Sequence, residues 1–117
     1  MYVRLVWSQG ECDSNNQVTT DAYSTAFASV VNIWRSNLGQ DLPFIALEII
    51  ETDSRDEEIN AAINLVAFQN NMEVINSSGY DTDDDLHFNY TSLKVIGNEV
   101  MAAMLAQNPL LITSELI

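Results

Sequence analysis

With a single cysteine, Cys12, among 117 residues, the chain can form neither an intrachain disulfide nor a cysteine cage around a metal. One thiol leaves the redox compartment open. Cations are almost as scarce: Arg4, Arg35, Arg55 and Lys94 stand against 17 acidic residues, a formal charge of −13. Such a surface repels a phosphate backbone or an anionic bilayer, so neither nucleic acid nor membrane is an expected partner. The acidity itself reads as a solubility adaptation. No stretch approaches the roughly 20 apolar residues of a membrane-spanning helix. The opening Met1-Tyr2-Val3-Arg4-Leu5-Val6-Trp7 lacks the basic segment, apolar stretch and small-residue cleavage site of a signal peptide, and reads as a strand. Repeats, low-complexity tracts and linkers are missing too, so residues 1–117 are expected to form one domain.

What is present suffices for a core, since 47% of the residues are hydrophobic. Three runs rich in β-branched and aromatic residues predict strands: Tyr2 to Trp7, Pro43 to Ile50, and Met72 to Asn76. Three helical patterns lie between and after them. The first follows Thr20 as N-cap and aligns Tyr23, Phe27, Val30, Trp34 and Leu38 before Gly39. The second opens on a capping-box pattern at Ser54 to Glu57 and aligns Ile59, Ala62, Ile63, Val66 and Ala67. The third starts near Thr91, turns Leu93, Ile96, Val100 and Met104 inward, and ends at Asn108-Pro109. This alternation predicts an α/β fold with a parallel sheet covered by helices. Ligands of such sheets bind beyond the carboxyl ends of the strands, where Gln9 to Asp13 and Asp81 to His87 both fall. The tail from Pro109 has no assigned role.

Asp84-Asp85-Leu86-His87 carries the clearest chemical suggestion. An Asp three residues before a His can, in a tight turn, hold imidazole Nδ1–H and leave Nε2 to take a proton from a serine. A solvated histidine in an acidic loop has the same spacing. Asp81, Asp83 and Asp85 alternate like the start of a calcium loop, but Leu86 stands where that loop needs Gly and Ser92 where it needs Glu. No metal or other cofactor is therefore expected. Asn76-Ser77-Ser78 and Asn89-Tyr90-Thr91 match the glycosylation pattern, which recurs by chance. Trp7, Trp34 and the apolar stripes are expected in the core, and Cys12 is expected as a small buried side chain.

Trp7, Gln9, Gly10, Glu11 and Asp13, followed by Asp84, His87, Phe88 and Gly97, resemble the motifs of SGNH-type carbohydrate esterases, specifically the sialate O-acetylesterase and acetylxylan esterase group. The resemblance spans roughly residues 2 to 105. It implies a three-layer α/β/α, flavodoxin-like fold and hydrolysis of acetyl esters on sugars through a serine acyl-enzyme. It makes His87 the general base, Asp84 its orienting acid and Gln9 an oxyanion donor through its side-chain amide. Glu11 and Asp13, with Gly10 between strand and loop, would brace the turn.

The departures are as informative. The family's nucleophile lies on a Gly-x-Ser-Asn segment after its first strand, followed by a strand with an oxyanion glycine, and this sequence contains neither. Ser8 occupies a variable position of the motif rather than the nucleophile's. The expectation is thus a partial SGNH domain of about three parallel strands and three helices, inactive alone, that acts on an acetylated carbohydrate once a nucleophile segment completes it. A non-catalytic module for carbohydrate binding or assembly is the other reading. Loss of the neighbouring strand would expose an edge at Val3, Leu5 and Val6, covered most simply by a twofold-related copy in a continuous sheet. A chain carrying the missing serine segment, or the tail from Pro109 to Ile117, would cover the same edge.

Overall fold

Every residue of Pro43-Phe44-Ile45-Ala46-Leu47 is apolar, the pattern of a strand buried on both faces. The computed structural model describes residues 3–107 and puts this run in the middle of a sheet. Strands β1 (Leu5–Trp7), β2 (Phe44–Leu47) and β3 (Glu73–Ile75) lie side by side in that order, all parallel. Leu5 is opposite Phe44, and Ile45 is opposite Glu73. Each strand falls inside the longer run that predicted it; Tyr2 lies outside the described residues.

Four helices accompany the strands: α1 (Glu11–Asn15), α2 (Thr20–Leu38), α3 (Ser54–Gln69) and α4 (Tyr90–Gln107). Helices α2 and α3 cover one face. There Tyr23, Phe27, Val31, Ile59, Ala62, Ile63 and Val66 close over Phe44 and Ala46. Helix α4 covers the other face, with Ile96 against Ile45 and Ile75. The sheet and its two helical layers make the three-layer α/β/α arrangement. The steps β1-α2-β2 and β2-α3-β3 run in the same direction, so right-handed crossovers lay both helices on one face.

Four expectations are corrected. Helix α1, five residues long, replaces an expected loop and makes four helices rather than three. The N-caps stand one residue earlier than read: Thr19 accepts from Ala22 N–H, and Asp53 accepts from the N–H groups of Arg55 and Asp56. The expected inner stripe of α2 holds at Tyr23 and Phe27, but Val31 takes the next buried position while Trp34 and Leu38 are 44% and 46% exposed. Length explains the last point. A 19-residue helix runs about 28 Å, whereas a four-residue strand covers about 13 Å, so the end of α2 overshoots the sheet. In α4, Leu93 is likewise exposed while Ile96 is buried. The expected stop at Asn108-Pro109 and the tail beyond it lie outside the described residues.

The α3 stripe is buried as read, and it shows what holds the layers together. Replacing the fully buried Ile63 by Ala should cost about 2–5 kcal/mol in urea unfolding. Phe68→Ala, on the same helix but 86% exposed, should stay within about 0.5 kcal/mol. Equal losses at the two positions would contradict this assignment of the core.

Candidate active site

The carboxyl ends of the strands carry two segments with opposite mechanical character. The one after β1 is braced by the core. Trp7 stacks on Phe27 at 4.7 Å between ring centroids, and its indole N–H donates to the Tyr23 hydroxyl at 3.0 Å. That hydroxyl lies 2.9 Å from the Gln9 carbonyl oxygen and 3.0 Å from Gln9 Oε1, with its proton available to either. Burial pushes the Tyr23 phenol up to about 12, so it stays a donor across the neutral range. The Gln9 Nε2 amide then donates to Asp13 Oδ2. Both ends of the Gln9 amide are thereby held, and the second N–H on Nε2 has no acceptor among the described residues.

Gly10 makes the turn possible. Its φ of +148° lies where side chains are strained, and a Cβ there would stand 2.7 Å from Ile59 Cγ2 and 3.2 Å from Ile49 Cγ2. Only a bare backbone fits between strand and core. Helix α1 then docks through Ser14, whose buried hydroxyl donates to Asp56 in the first turn of α3. Burial opposes charge on Asp56. Hydrogen bonds from Ser14 and from the Thr52 hydroxyl and N–H outweigh it and hold the carboxyl below its ordinary range. Cys12, two residues before Ser14, faces the opposite side of this helix and is exposed, correcting the expectation of a buried thiol.

The segment between β3 and α4 is shaped by its own hydrogen bonds. Asp83 N–H donates to the His87 carbonyl at 2.9 Å, and Asn89 N–H to the Asp81 carbonyl at 3.1 Å, closing a loop across the Thr82–Phe88 bridge. Asn89 Oδ1 accepts from Ser92 N–H and so starts α4. At the tip, Asp84 Oδ1 accepts from Leu86 N–H and His87 N–H, each at 2.7 Å. Both oxygens of the same carboxylate lie 2.9 Å from His87 Nδ1. The three-residue spacing read from sequence is therefore a closed turn with the imidazole locked onto the carboxylate, and Nε2 has no partner among the described residues.

The hydrogen bond His87 donates to Asp84 raises the His87 pKa above its ordinary value, helped by the charges of Asp84, Asp83 and Glu11. Reciprocally, the bond from His87 and that from Leu86 N–H lower the Asp84 pKa. Both side chains remain open to water, at 70% and 57% exposure. Charge attraction between the two adds to the turn's stability while Asp84 is ionised and His87 protonated, and the neutral ring keeps the Nδ1–H bond to Asp84. The attraction fades as pH rises through the raised His87 pKa, and again as pH falls through the lowered Asp84 pKa.

His87 and Gln9 share one end of the sheet but not one cavity. A cavity of about 430 Å³ is lined by His87 with Ser8, Glu11, Glu48, Leu86, Phe88 and Leu93. Gln9 and Asp13 line a separate groove of about 240 Å³ between β1 and α2, with Trp7, Tyr23 and Val30. Ser8 faces the histidine's cavity, yet no hydrogen bond joins it to His87 among the described residues. Two members of the site escaped the sequence reading. Tyr23 was visible only as a core aromatic. Glu48, directly after β2, accepts from Ser77 N–H at 2.8 Å and from Asn64 Nδ2 at 2.7 Å, and its place at a strand's carboxyl end was the available signal. No group of three His, Cys, Asp or Glu side chains among the described residues is arranged to hold a metal ion. No helix among them is long and apolar enough to cross a membrane.

Because the chain has one histidine, an NMR titration of its imidazole reads the pair directly. The midpoint should lie above the ordinary 6.5 and fall towards it in Asp84→Asn. A midpoint unchanged by that substitution would separate the two side chains. Gly10→Ala should lower unfolding stability by about 1–3 kcal/mol through overpacking against Ile59. An unchanged urea midpoint would show that the turn accommodates a side chain.

The geometry agrees with what comparison with known proteins finds. No curated protein and no solved structure matches the chain. The family model described as carbohydrate esterase, sialic acid-specific acetylesterase, matches residues 2–106. A sheet of three parallel strands between helical layers, bearing both motifs at one end, thus belongs to the sialic acid-specific acetylesterase family of carbohydrate esterases.

Proposed function

We propose that this chain supplies the acid–base half of a serine esterase that removes acetyl groups from sugar hydroxyls. The observation carrying the proposal is the Asp84 carboxylate against His87 Nδ1 at 2.9 Å, with Nε2 unpartnered. In that arrangement Nε2 takes the proton of a serine hydroxyl as its oxygen attacks the acetyl carbonyl. The imidazolium, stabilised by Asp84, returns the proton to the departing sugar oxygen. A water molecule repeats the sequence on the acetyl-serine, releasing acetate and restoring the hydroxyl.

Gln9 suits the oxyanion. Tyr23 and Asp13 hold its amide in one orientation, so little reorganisation is needed when negative charge develops on the substrate oxygen. Removing such a donor costs about 2.7–4 kcal/mol, or 10²–10³ in kcat. Glu11 and Asp13 act on the turn and on charge rather than on the ester. The nucleophile is assigned to a serine outside residues 1–117, because the sequence lacks the Gly-x-Ser-Asn segment on which such esterases carry it.

Hydrolysis of p-nitrophenyl acetate and of O-acetylated sialic acid tests this reading. The isolated chain should show turnover no greater than its His87→Ala variant. Tagged chain recovered from its own cells with its assembly partners should hydrolyse the esters and lose about 10²–10⁴ of its rate on the same substitution. Turnover by the isolated chain that depends on His87 would overturn the external nucleophile. An inactive recovered assembly would leave the carbohydrate-binding reading in its place.

A further inference from the structure

The cavity beside His87 carries charge of one sign. Apart from the histidine its charged lining is Glu11 and Glu48, and Asp83, Asp84 and Asp85 belong to the loop that presents the histidine. None of Arg4, Arg35, Arg55 and Lys94 is among the described residues that line it. Arg35 donates to the carbonyls of Leu42, Asn70 and Asn71 at the opposite end of the sheet, Arg55 is paired with Asp53 at 2.6 Å, and Lys94 lies 5.6 Å from the Tyr90 ring centroid. Glu48 is a fixed acceptor. It directly follows β2, and its Oε1 accepts from Ser77 N–H at 2.8 Å while its Oε2 accepts from Asn64 Nδ2 at 2.7 Å. Asn64 is itself tied to the Asn60 carbonyl at 2.8 Å. A carboxylate offers about four lone-pair sites, so each oxygen keeps one for a donor in the cavity. These supports come from β2, α3 and the segment after β3. None of them lies at the outer edge of β1, so the carboxylate keeps its place whatever segment completes the sheet there.

Taking the esterase reading as given, we infer that this cavity selects acetylated sugars that carry no carboxylate: Glu48 accepts hydrogen bonds from sugar hydroxyls, and Glu48 and Glu11 together repel an acidic sugar. An uncharged sugar brings hydroxyl donors, and a hydrogen bond from a hydroxyl to a carboxylate is about twice as strong as one between neutral groups. Leu86 and Leu93, 50% and 54% exposed, give its C–H face an apolar margin. A sugar acid instead brings a further anion into the same space, where no described arginine or lysine receives it. Like charges brought together cost affinity, and a partly enclosed cavity screens them less than open water does. O-acetylated sialic acid, which carries a carboxylate, is then hydrolysed less efficiently than an uncharged acetyl sugar.

An O-acetylated methyl glucuronoside and its uncharged uronamide differ in charge and little else, so acetate release from each by the recovered assembly tests the selection. The uronamide should have the higher kcat/KM by at least about tenfold. Glu48→Gln and Glu11→Gln should each narrow that gap at least about threefold, as should about 1 M salt, where the screening length falls to ~3 Å. Equal rates, or a faster acid, would overturn the selection and leave the esterase reading standing. So would a gap that neither substitution narrows; if Glu48→Gln does not fold, Glu11→Gln decides alone. Acetate release from neither substrate would contradict the esterase reading instead. Ligand-observed NMR of the assembly with the two deacetylated glycosides then decides the selection without turnover: tighter binding of the uronamide supports it. Equal or absent binding, or tighter binding of the acid, overturns it.

Discussion

Burial of β2 on both faces is the constraint from which the rest of the molecule follows. Phe44, Ile45 and Ala46 are essentially inaccessible, which requires a helical layer on each side and a paired strand on each edge. Parallel pairing then sends the segments after β1, β2 and β3 out of the same end of the sheet. Just past β2, Asn60 from α3 completes the exit. Its amide accepts from Ile49 N–H and donates to the Ile49 carbonyl, both at 2.9 Å, where water is excluded. The end of the sheet that carries the candidate site is thus held by one buried amide, one bare glycine and one tyrosine hydroxyl.

On that scaffold the two halves of the site differ in kind. Gln9 is positioned from beneath by Trp7 and Tyr23, which belong to the main core, so its placement is as firm as the core itself. His87 is positioned from within its own loop by Asp84, and most of its surface faces water. Exposed charge pairs contribute little to stability. The value of the Asp84 contact is directional: it fixes the ring and sets which nitrogen is left without a partner. Acidic neighbours favour the protonated ring, and a covering segment that excludes water would strengthen every interaction across the cavity.

Much of this was legible in the residues. Runs rich in β-branched and aromatic residues located all three strands, β2 most plainly because a strand covered on both faces needs no polar side, and the 3.6-residue repeat of α3 located its buried stripe. The Asp84–His87 contact followed from spacing, because a turn of three residues leaves few other places for the two side chains. Less visible was everything decided by tertiary fit. Trp34 and Leu38 continue the apolar pattern of α2 beyond the end of the sheet, and periodicity carries no information about where a sheet stops. Helix α1 is too short for a repeat to show. The Trp7–Tyr23–Gln9–Asp13 network joins residues 16 apart in sequence, and no local pattern announces that a core tyrosine will hold a loop amide.

The central claim, an acid–base pair in this chain serving a serine elsewhere, is tested most directly by trapping the nucleophile. An active-site fluorophosphonate applied to the assembled protein, followed by peptide mass spectrometry, should phosphonylate a serine that does not belong to residues 1–117 and leave it unmodified when His87 is replaced by Ala. Labelling of Ser8, or of any other serine within those residues, would contradict it.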